Sequence, residues 1–248
     1  MPLWNFVPLI VLFFATSVVG VVTGSNSLVT VPLMFQFGID EKVAVATNMF
    51  GLTFMAIGGT IPFVRQGTIE FGKLSPFLIL TIIGSTIGAA LVGLMSNQAI
   101  KLIVSIAMIA IVVFTLVRPR TAEIKPARMW LIAFPLTFVL AIYGGLYSGG
   151  YVTVLTATLV AFAGMTFTES IAATKLINVF SSGVATLVFM WQGLVDYKLG
   201  IILGFAMFAG AFIGAHYASR MNEIWLKRIF LTTVLLLAIK MLLDLFLR

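Results

Sequence analysis

The sequence lacks cysteine and has little charge. Its 248 residues include 15 Lys and Arg, 8 Asp and Glu, and one histidine. Without cysteine the chain cannot form a disulfide, a thiolate metal site or a cysteine nucleophile. It also has no cluster of His, Asp and Glu, no Gly-x-Ser-x-Gly motif and no dinucleotide fingerprint. We therefore predict no catalytic residues, no metal and no cofactor, and a membrane-embedded enzyme is the least favoured class.

Apolar residues dominate the chain, with 61% hydrophobic and only 9% charged. A globular domain of this composition would have too little polar surface to cover itself. The formal net charge of +7 could suggest nucleic acid, but the basic residues lie mostly in short connections between apolar runs, which is typical of topology signals. We predict a multi-pass protein of the cell membrane whose partner is the lipid bilayer and not nucleic acid. The oligomeric state, a homo-oligomer included, is left open.

The apolar runs divide into ten segments, five in each half of the chain. They cover residues 4–22, 26–38, 43–64, 74–95 and 99–117, then 129–147, 151–163, 170–191, 199–218 and 225–246. As helices, the second and seventh segments would be about 20 Å long, whereas the hydrocarbon core is roughly 30 Å thick. Each of these two either crosses in a broken form or re-enters. The predicted fold is an all-α polytopic membrane protein with eight full spans and two short or re-entrant segments.

The two halves resemble each other. At an offset of 126, Gln66-Gly67 falls on Gln192-Gly193. We predict a first repeat over 1–117, a cytoplasmic linker over the hydrophilic stretch 118–128, and a second repeat over 129–248. If the short segments cross, nine basic residues lie inside and four outside; if they re-enter, the counts are eight and five. The first count favours an odd number of crossings, hence inverted repeats with both termini outside.

A small polar cluster interrupts the long uncharged run near the start of each half. The first contains Ser25, Asn26 and Ser27, and the second contains Ser148, Gly149 and Gly150. Gly/Ser interruptions at matching places in two halves point to a transporter binding site. A short helix that starts there offers free N–H groups and the positive end of its dipole to an anion, and these residues could cap it. The alternative is that they only permit tight turns.

Lys175 is the most informative single residue. It lies about six residues into an apolar segment and is followed by twenty uncharged residues. A cation there costs several kcal/mol unless it finds a partner or a cavity. It either snorkels to the headgroups or pairs with Glu169, or it anchors an anion. Thr174 and Asn178 share its helix face, and Thr47-Asn48 is its polar counterpart in the first half. These residues are the candidate substrate-binding set.

The motifs also resemble a known family. Residues Gly20 to Pro32, followed by Ala46-Thr47-Asn48, are similar to the first half of the TauE/SafE family of membrane anion exporters. Residues Ser148 to Thr153, with Ala173 to Ser182, resemble its second half. The resemblance covers essentially the whole chain. It implies export of sulfite, organosulfonates or related sulfur-containing anions.

No segment centre contains Asp or Glu. Proton and cation antiporters usually need a buried carboxylate or histidine, whereas an anion exporter can use the inside-negative potential, which is worth about 2.3 kcal/mol per charge per 100 mV. We expect alternating access or gated uniport of a small anion. Coupling to protons or sodium, and a transporter of another solute, cationic or neutral, remain the alternatives.

Overall fold

The computed structural model describes residues 7–24, 26–67, 69, 71–117, 129–217 and the single positions 232, 235, 239 and 243. Within these residues the structure is helical and has no strands. The continuous helices are α1 (Val7–Thr23), α2 (Ser27–Gln36), α3 (Glu41–Arg65), α4 (Phe71–Leu94), α5 (Asn97–Val117), α6 (Trp130–Leu146), α7 (Tyr151–Phe162), α8 (Phe167–Trp191) and α9 (Tyr197–Tyr217). Ser25, the linker 118–128 and, apart from the four single positions, the tenth segment 225–246 lie outside the described residues.

Local capping explains where the two most polar helices begin. The Asp40 carboxylate accepts hydrogen bonds from the N–H groups of Lys42 and Val43 at 3.0 and 3.2 Å, so α3 starts directly after Asp40. Thr166 and Glu169 form a capping box at the start of α8. Both devices satisfy backbone donors that have no partner within the helix. The predicted all-helical architecture is confirmed.

Five described helices are long and apolar enough to cross a membrane: α3, α4, α5, α8 and α9. The helices α1 and α6, predicted as full spans, each have 17 residues. At 1.5 Å per residue that is about 25 Å, somewhat less than a typical hydrocarbon core. The helices α2 and α7 are short, with 10 and 12 residues. The count of eight full spans therefore stays a prediction.

The helices α6 and α7 form a hairpin. The Met129 N–H, just before α6, donates to the Phe162 carbonyl at the end of α7, with N and O 2.8 Å apart. The outer ends of both helices thus lie together, and α7 runs back toward the face from which α6 starts. The tip turns at Gly150, whose φ of +81° suits a residue without a Cβ. In the first half α1 and α2 are joined through Gly24, with φ of +78°.

Helix packing is reciprocal between the halves. The helix α4 packs against α6 and α8, and the corresponding helix of the second half, α9, packs against α1 and α3. The helices α3 and α8, which occupy equivalent places, pack against each other.

The equivalent helices α3 and α8 run in opposite directions. The hydroxyl groups of Thr53, in the middle of α3, and Thr186, in the second half of α8, lie 3.2 Å apart. Near the start of α3, the Thr47 hydroxyl accepts from the N–H of Asp196 at 3.0 Å. Asp196 follows the end of α8, so the beginning of one helix lies beside the end of the other.

Glycine lets α4 and α6 approach at backbone distance. A Cβ on Gly88 would overlap the carbonyl oxygen of Ile142 and lie 2.7 Å from the backbone nitrogen of Leu146. Gly84, one turn earlier, would place its Cβ 2.7 Å from that of Ala141. Small residues four apart permit such close contact between helices in a membrane. These are backbone neighbours, which cannot rotate away as a flexible side chain can.

We expect Gly88→Ala to lower the free energy of unfolding by about 1–3 kcal/mol, because the added methyl group forces α4 and α6 apart. The measurement is the thermal melting temperature of detergent-purified protein. Gly72→Ala is the matched control, since it lies in the same helix and its Cβ would meet nothing within 4 Å. Equal melting temperatures for the two variants would contradict the close packing described here.

Candidate functional site

A small cavity lies where the two hairpin tips meet α3 and α8. We call it the central cavity. Its volume is about 20 Å³, which is room for about one water molecule. It is lined by residues of both halves: Gly20, Gly24, Asn26, Ser27, Leu52, Met55, Ser148, Val152, Lys175 and Asn178.

Five predicted site residues line this cavity. Asn26 and Ser27 come from the start of α2, Ser148 from the tip of the α6–α7 hairpin, and Lys175 and Asn178 from α8. Segments more than 100 residues apart in the chain thus place their polar groups around one space. The structure brings together the two polar clusters and the intramembrane lysine.

Lys175 lies in the protein interior, with 6% of its surface exposed. Among the described residues, its ammonium group has no hydrogen-bond or ion-pair partner. Glu169, the partner considered from the sequence, instead accepts from the N–H and hydroxyl of Thr166 at 2.7 and 2.9 Å. An unpaired buried charge is costly in a low-dielectric environment. Such a charge is available to a ligand of opposite sign.

Two amide side chains in the cavity wall have unused capacity. The Oδ1 atoms of Asn26 and Asn178 are buried without a hydrogen-bond partner, while the Asn26 Nδ2 donates to the Ser17 hydroxyl at 3.3 Å. Leaving a buried polar atom unpaired costs about 1–3 kcal/mol. An amide can present either its oxygen or its NH₂ group to a ligand. Both side chains could therefore gain hydrogen bonds when the cavity is occupied.

The helices α2 and α7 both begin at the cavity. Asn26 and Gly150 are their N-cap residues, and neither start has a side-chain capping hydrogen bond. The prediction that Asn26 caps α2 is therefore wrong, because its Nδ2 bonds Ser17 and its Oδ1 has no partner. Uncapped N–H groups at a helix start carry a partial positive charge. Two such starts and the Lys175 ammonium group converge here.

Asn48 does not line the cavity but holds its wall in place. Its Nδ2 donates to the Ser27 hydroxyl at 2.9 Å, and its Oδ1 accepts from the Thr30 hydroxyl at 2.6 Å. These buried bonds fasten the start of α2 to α3. When Ala46-Thr47 is matched with Ala173-Thr174, at an offset of 127, Asn48 matches Lys175. The fourth residue of α2 is Thr30, which bonds Asn48, whereas the fourth residue of α7 is Val154, which has no hydroxyl group to offer Lys175.

The other predicted residues lie elsewhere. The Thr47 hydroxyl accepts from the Asp196 N–H. The Thr174 hydroxyl donates to the Ile171 carbonyl at 3.0 Å and lies 3.2 Å from the Thr156 hydroxyl. The Gly149 carbonyl accepts from the Tyr143 hydroxyl. Gly150 forms the turn before α7. None of these four candidates, Thr47, Thr174, Gly149 and Gly150, lines the central cavity.

The sequence analysis did not single out Tyr147. Its side chain is 1% exposed, and its hydroxyl donates to the Ser27 carbonyl at 2.9 Å. This bond joins the tip of one hairpin to the start of α2 in the other. The signal that could have found it is the position of a tyrosine inside a cluster of small residues, where its phenol needs a hydrogen-bond partner if buried.

The comparisons with known proteins agree over nearly the whole chain. The sequence model of the family described as Sulfite exporter TauE/SafE matches residues 9–241. "Probable membrane transporter protein ORF9" of Sinorhizobium sp is 26% identical over 239 residues, covering 95% of this chain and 92% of that protein. "Probable membrane transporter protein YfcA" of Escherichia coli K12 is 27% identical over 217 residues, covering 85% and 79%. "Probable membrane transporter protein YdhB" of Bacillus subtilis is 24% identical over 237 residues, covering 90% and 95%. No solved structure matches the chain.

Two substitutions in this region should have opposite effects on stability. Asn48→Leu removes two buried hydrogen bonds and takes away the amide that bonds the Ser27 hydroxyl, while Thr30 keeps its bond to the Asn26 carbonyl at 3.3 Å. We expect it to lower the free energy of unfolding by about 2–4 kcal/mol. Lys175→Met removes a buried charge that has no partner among the described residues, so its melting temperature should equal or exceed that of the unchanged protein. Thermal melting in detergent without added anions measures both. A large loss of stability in Lys175→Met would mean that the lysine is needed by the fold.

Proposed function

The chain belongs to the Sulfite exporter TauE/SafE family, and from this premise we propose that it exports small anions, with sulfite, organosulfonates and related sulfur-containing anions as the substrate class. Family and relatives make it a membrane transporter. The single observation that supports an anionic substrate is Lys175, a buried ammonium group in the cavity wall that has no partner among the residues the structure describes.

Three kinds of group that can bind an anion meet at the proposed site. Lys175 supplies a full charge, the starts of α2 and α7 supply the positive ends of their dipoles, and Asn26 and Asn178 supply amides. A sulfite or sulfonate group has three oxygens that accept hydrogen bonds from several directions. A hydrogen bond to a charged group contributes about 1.5–3 kcal/mol. A cation would instead meet the repulsion of Lys175.

The central cavity is closed around the proposed site. A space of about 20 Å³ holds roughly one water molecule and is too small for a sulfonate group. Binding therefore requires the hairpin tips to separate, and the Tyr147 hydroxyl bond to the Ser27 carbonyl is one contact that has to lengthen. A site that closes fully between two moving tips is suited to alternating access, in which substrate is never open to both sides at once.

We further propose that the halves are inverted in the membrane. The opposite directions of α3 and α8 support this arrangement. The α6–α7 hairpin supports it too, because it returns to its own face and so makes no net crossing. The crossings of the second half are then α8, α9 and the predicted tenth segment, three in place of the five expected from the sequence. An odd number of crossings places the next half upside down. With the linker 118–128 in the cytoplasm, both termini lie outside.

The membrane potential is the proposed driving force. An inside-negative potential pushes each negative charge outward by about 2.3 kcal/mol per 100 mV, which supports roughly fifty-fold accumulation outside. The acidic residues Asp40, Glu41, Glu169 and Asp196 lie at helix ends, where they cap backbone groups or pair with other side chains. Gated uniport of an anion needs no carboxylate in the middle of the membrane.

Removing the charge of Lys175 tests the anion site. We expect Lys175→Met to weaken binding of sulfite or methanesulfonate about ten-fold or more, because one charge-assisted hydrogen bond is lost. Lys175→Arg should restore little, since a planar guanidinium does not occupy the place of a compact ammonium group. The measurement is calorimetric affinity in detergent together with efflux from proteoliposomes. Lys198→Gln, at an exposed lysine at the start of α9, is the control and should bind normally. Unchanged affinity in folded Lys175→Met would remove this residue from the site.

Flux driven by potential alone tests the coupling. In proteoliposomes with an imposed potassium diffusion potential, transport of methanesulfonate should follow the sign and size of the potential. It should persist with no gradient of protons or sodium, because the proposed site binds the anion without a counter-ion. An ionophore that collapses the potential is the control and should abolish net accumulation. Transport that needs a proton gradient at zero potential would contradict uniport.

A further inference from the structure

A second cavity, of about 690 Å³, opens between the starts of α4, α6 and α8 and the end of α7. We call it the vestibule. Its wall includes Ile69, Trp130 and Ala173. Ala173 lies two residues before Lys175 in α8, so the inner wall of the vestibule belongs to the helix that carries the proposed anion site. Trp130 follows the predicted cytoplasmic linker 118–128, which places the vestibule on that face.

The other half contains a matching place. The helices α3 and α8 have the same length and begin 126 residues apart, as do α4 and α9. By this offset Thr47 stands where Ala173 stands, and the start of α9 stands where the start of α4 does. Because α3 and α8 run in opposite directions, the matching place lies at the opposite end of the helix bundle.

The matching place is bridged by one hydrogen bond that the vestibule lacks. The Thr47 hydroxyl accepts from the Asp196 N–H at 3.0 Å and so fastens α3 to the residue before α9. Ala173 has no hydroxyl group and lines open space beside Gly72 and Lys73 of α4. The vestibule thus opens where this half has Ala173, and the other half has the Thr47 hydrogen bond at the corresponding position.

Further bonds hold the start of α3 on that same closed face. Glu41 and Lys101 form an ion pair of 2.6 Å, and the Lys42 ammonium group donates to the Gly93 carbonyl at 3.1 Å. These contacts tie α3 to the end of α4 and the start of α5. At the offset of 126, Phe167 stands in place of Glu41. The acidic residue in the first turn of α8 is Glu169, which lines the vestibule together with Lys73 of α4.

We infer that the vestibule is the entrance through which the anion reaches the central cavity, and that Thr47 closes the matching entrance on the opposite face. The inference rests on the proposed transport function for its ligand. During transport the open entrance closes and the closed entrance opens, so that Lys175 becomes accessible from the opposite face. Thr47 acts as a positioning residue for α3 and does not contact the anion.

The absence of native cysteine allows each entrance to be probed with one introduced thiol. Ile69→Cys lies in the vestibule wall, and Val195→Cys lies at the matching place, at the same offset of 126. The two native side chains are almost equally buried, at 9% and 7% exposed, so a difference in reaction rate reports access through the neighbouring space and not the exposure of the side chain itself. The probe is a water-soluble, anionic methanethiosulfonate reagent acting on protein in proteoliposomes. We expect Ile69→Cys to react several-fold faster than Val195→Cys, and from the linker side only.

Exchanging the two side chains then tests the role of Thr47. In the Val195→Cys background, Thr47→Ala should raise the reaction rate about five-fold, since it removes one hydrogen bond that keeps the entrance closed. In the Ile69→Cys background, Ala173→Thr should lower the rate. Thr53→Ala removes a hydroxyl group from the middle of the same helix and is the matched control, with both rates unchanged.

Equal rates at the two thiols, or a Val195→Cys rate that Thr47→Ala leaves unchanged, would overturn the inference. Thr47→Ser, which keeps the hydroxyl group, should retain the slow rate and shows that the bond, not the methyl group, matters. If Thr47→Ala fails to fold, the comparison of Ala173→Thr with its parent decides alone. The labelling rates are measured without a transported anion. They therefore test the entrances separately from the anion site, which the affinities of the Lys175 variants test.

Discussion

The bilayer core offers no water to backbone polar groups, and this constraint shapes the whole molecule. Every segment at membrane depth has to be helical, or it has to place its free backbone groups inside the protein. The two hairpin tips, at Gly24 and at Tyr147 to Gly150, are not helical and meet this requirement in the second way. They lie against each other, with the Tyr147 hydroxyl bonding the Ser27 carbonyl and the Tyr143 hydroxyl bonding the Gly149 carbonyl. Because the two non-helical tips lie against each other inside the protein, they form a polar pocket surrounded by apolar helices.

Lys175 shows how such a pocket keeps the capacity to bind an anion. A fold optimised only for stability would place methionine or leucine at this position, or would give the ammonium group a partner, as Glu41 does for Lys101. At the motif offset of 127 its counterpart in the first half is Asn48, whose amide nitrogen and oxygen bond Ser27 and Thr30. One half therefore uses this motif position to hold a hairpin, while the other has a charge with no partner among the described residues. Functional sites commonly tolerate such local instability.

Helix positions could be predicted from the sequence more reliably than side-chain directions. Apolar runs and capping residues gave the described helices to within a few residues, because burial and capping are local properties. Thr47 and Thr174 were chosen with the polar clusters but lie outside the cavity wall. The halves, and the starts of α3 and α8, match at an offset of 126, whereas Ala46-Thr47 matches Ala173-Thr174 only at 127. One residue turns a helix face by about 100°, so a motif match alone cannot say which way a side chain points. The convergence of α2, α7 and α8 depended on long-range packing.

The reciprocal packing of helices has a consequence for how the chain is divided. The α6–α7 hairpin packs on α4 and α8, and the α1–α2 hairpin packs on α9 and α3. Two bodies result, and each contains helices from both halves of the sequence, with α3 and α8 in contact between them. The two similar halves of the sequence are therefore not the two groups of helices that pack together. Each hairpin lies on one helix of its own half and on one helix of the other half, so neither half alone could cover both surfaces of its hairpin.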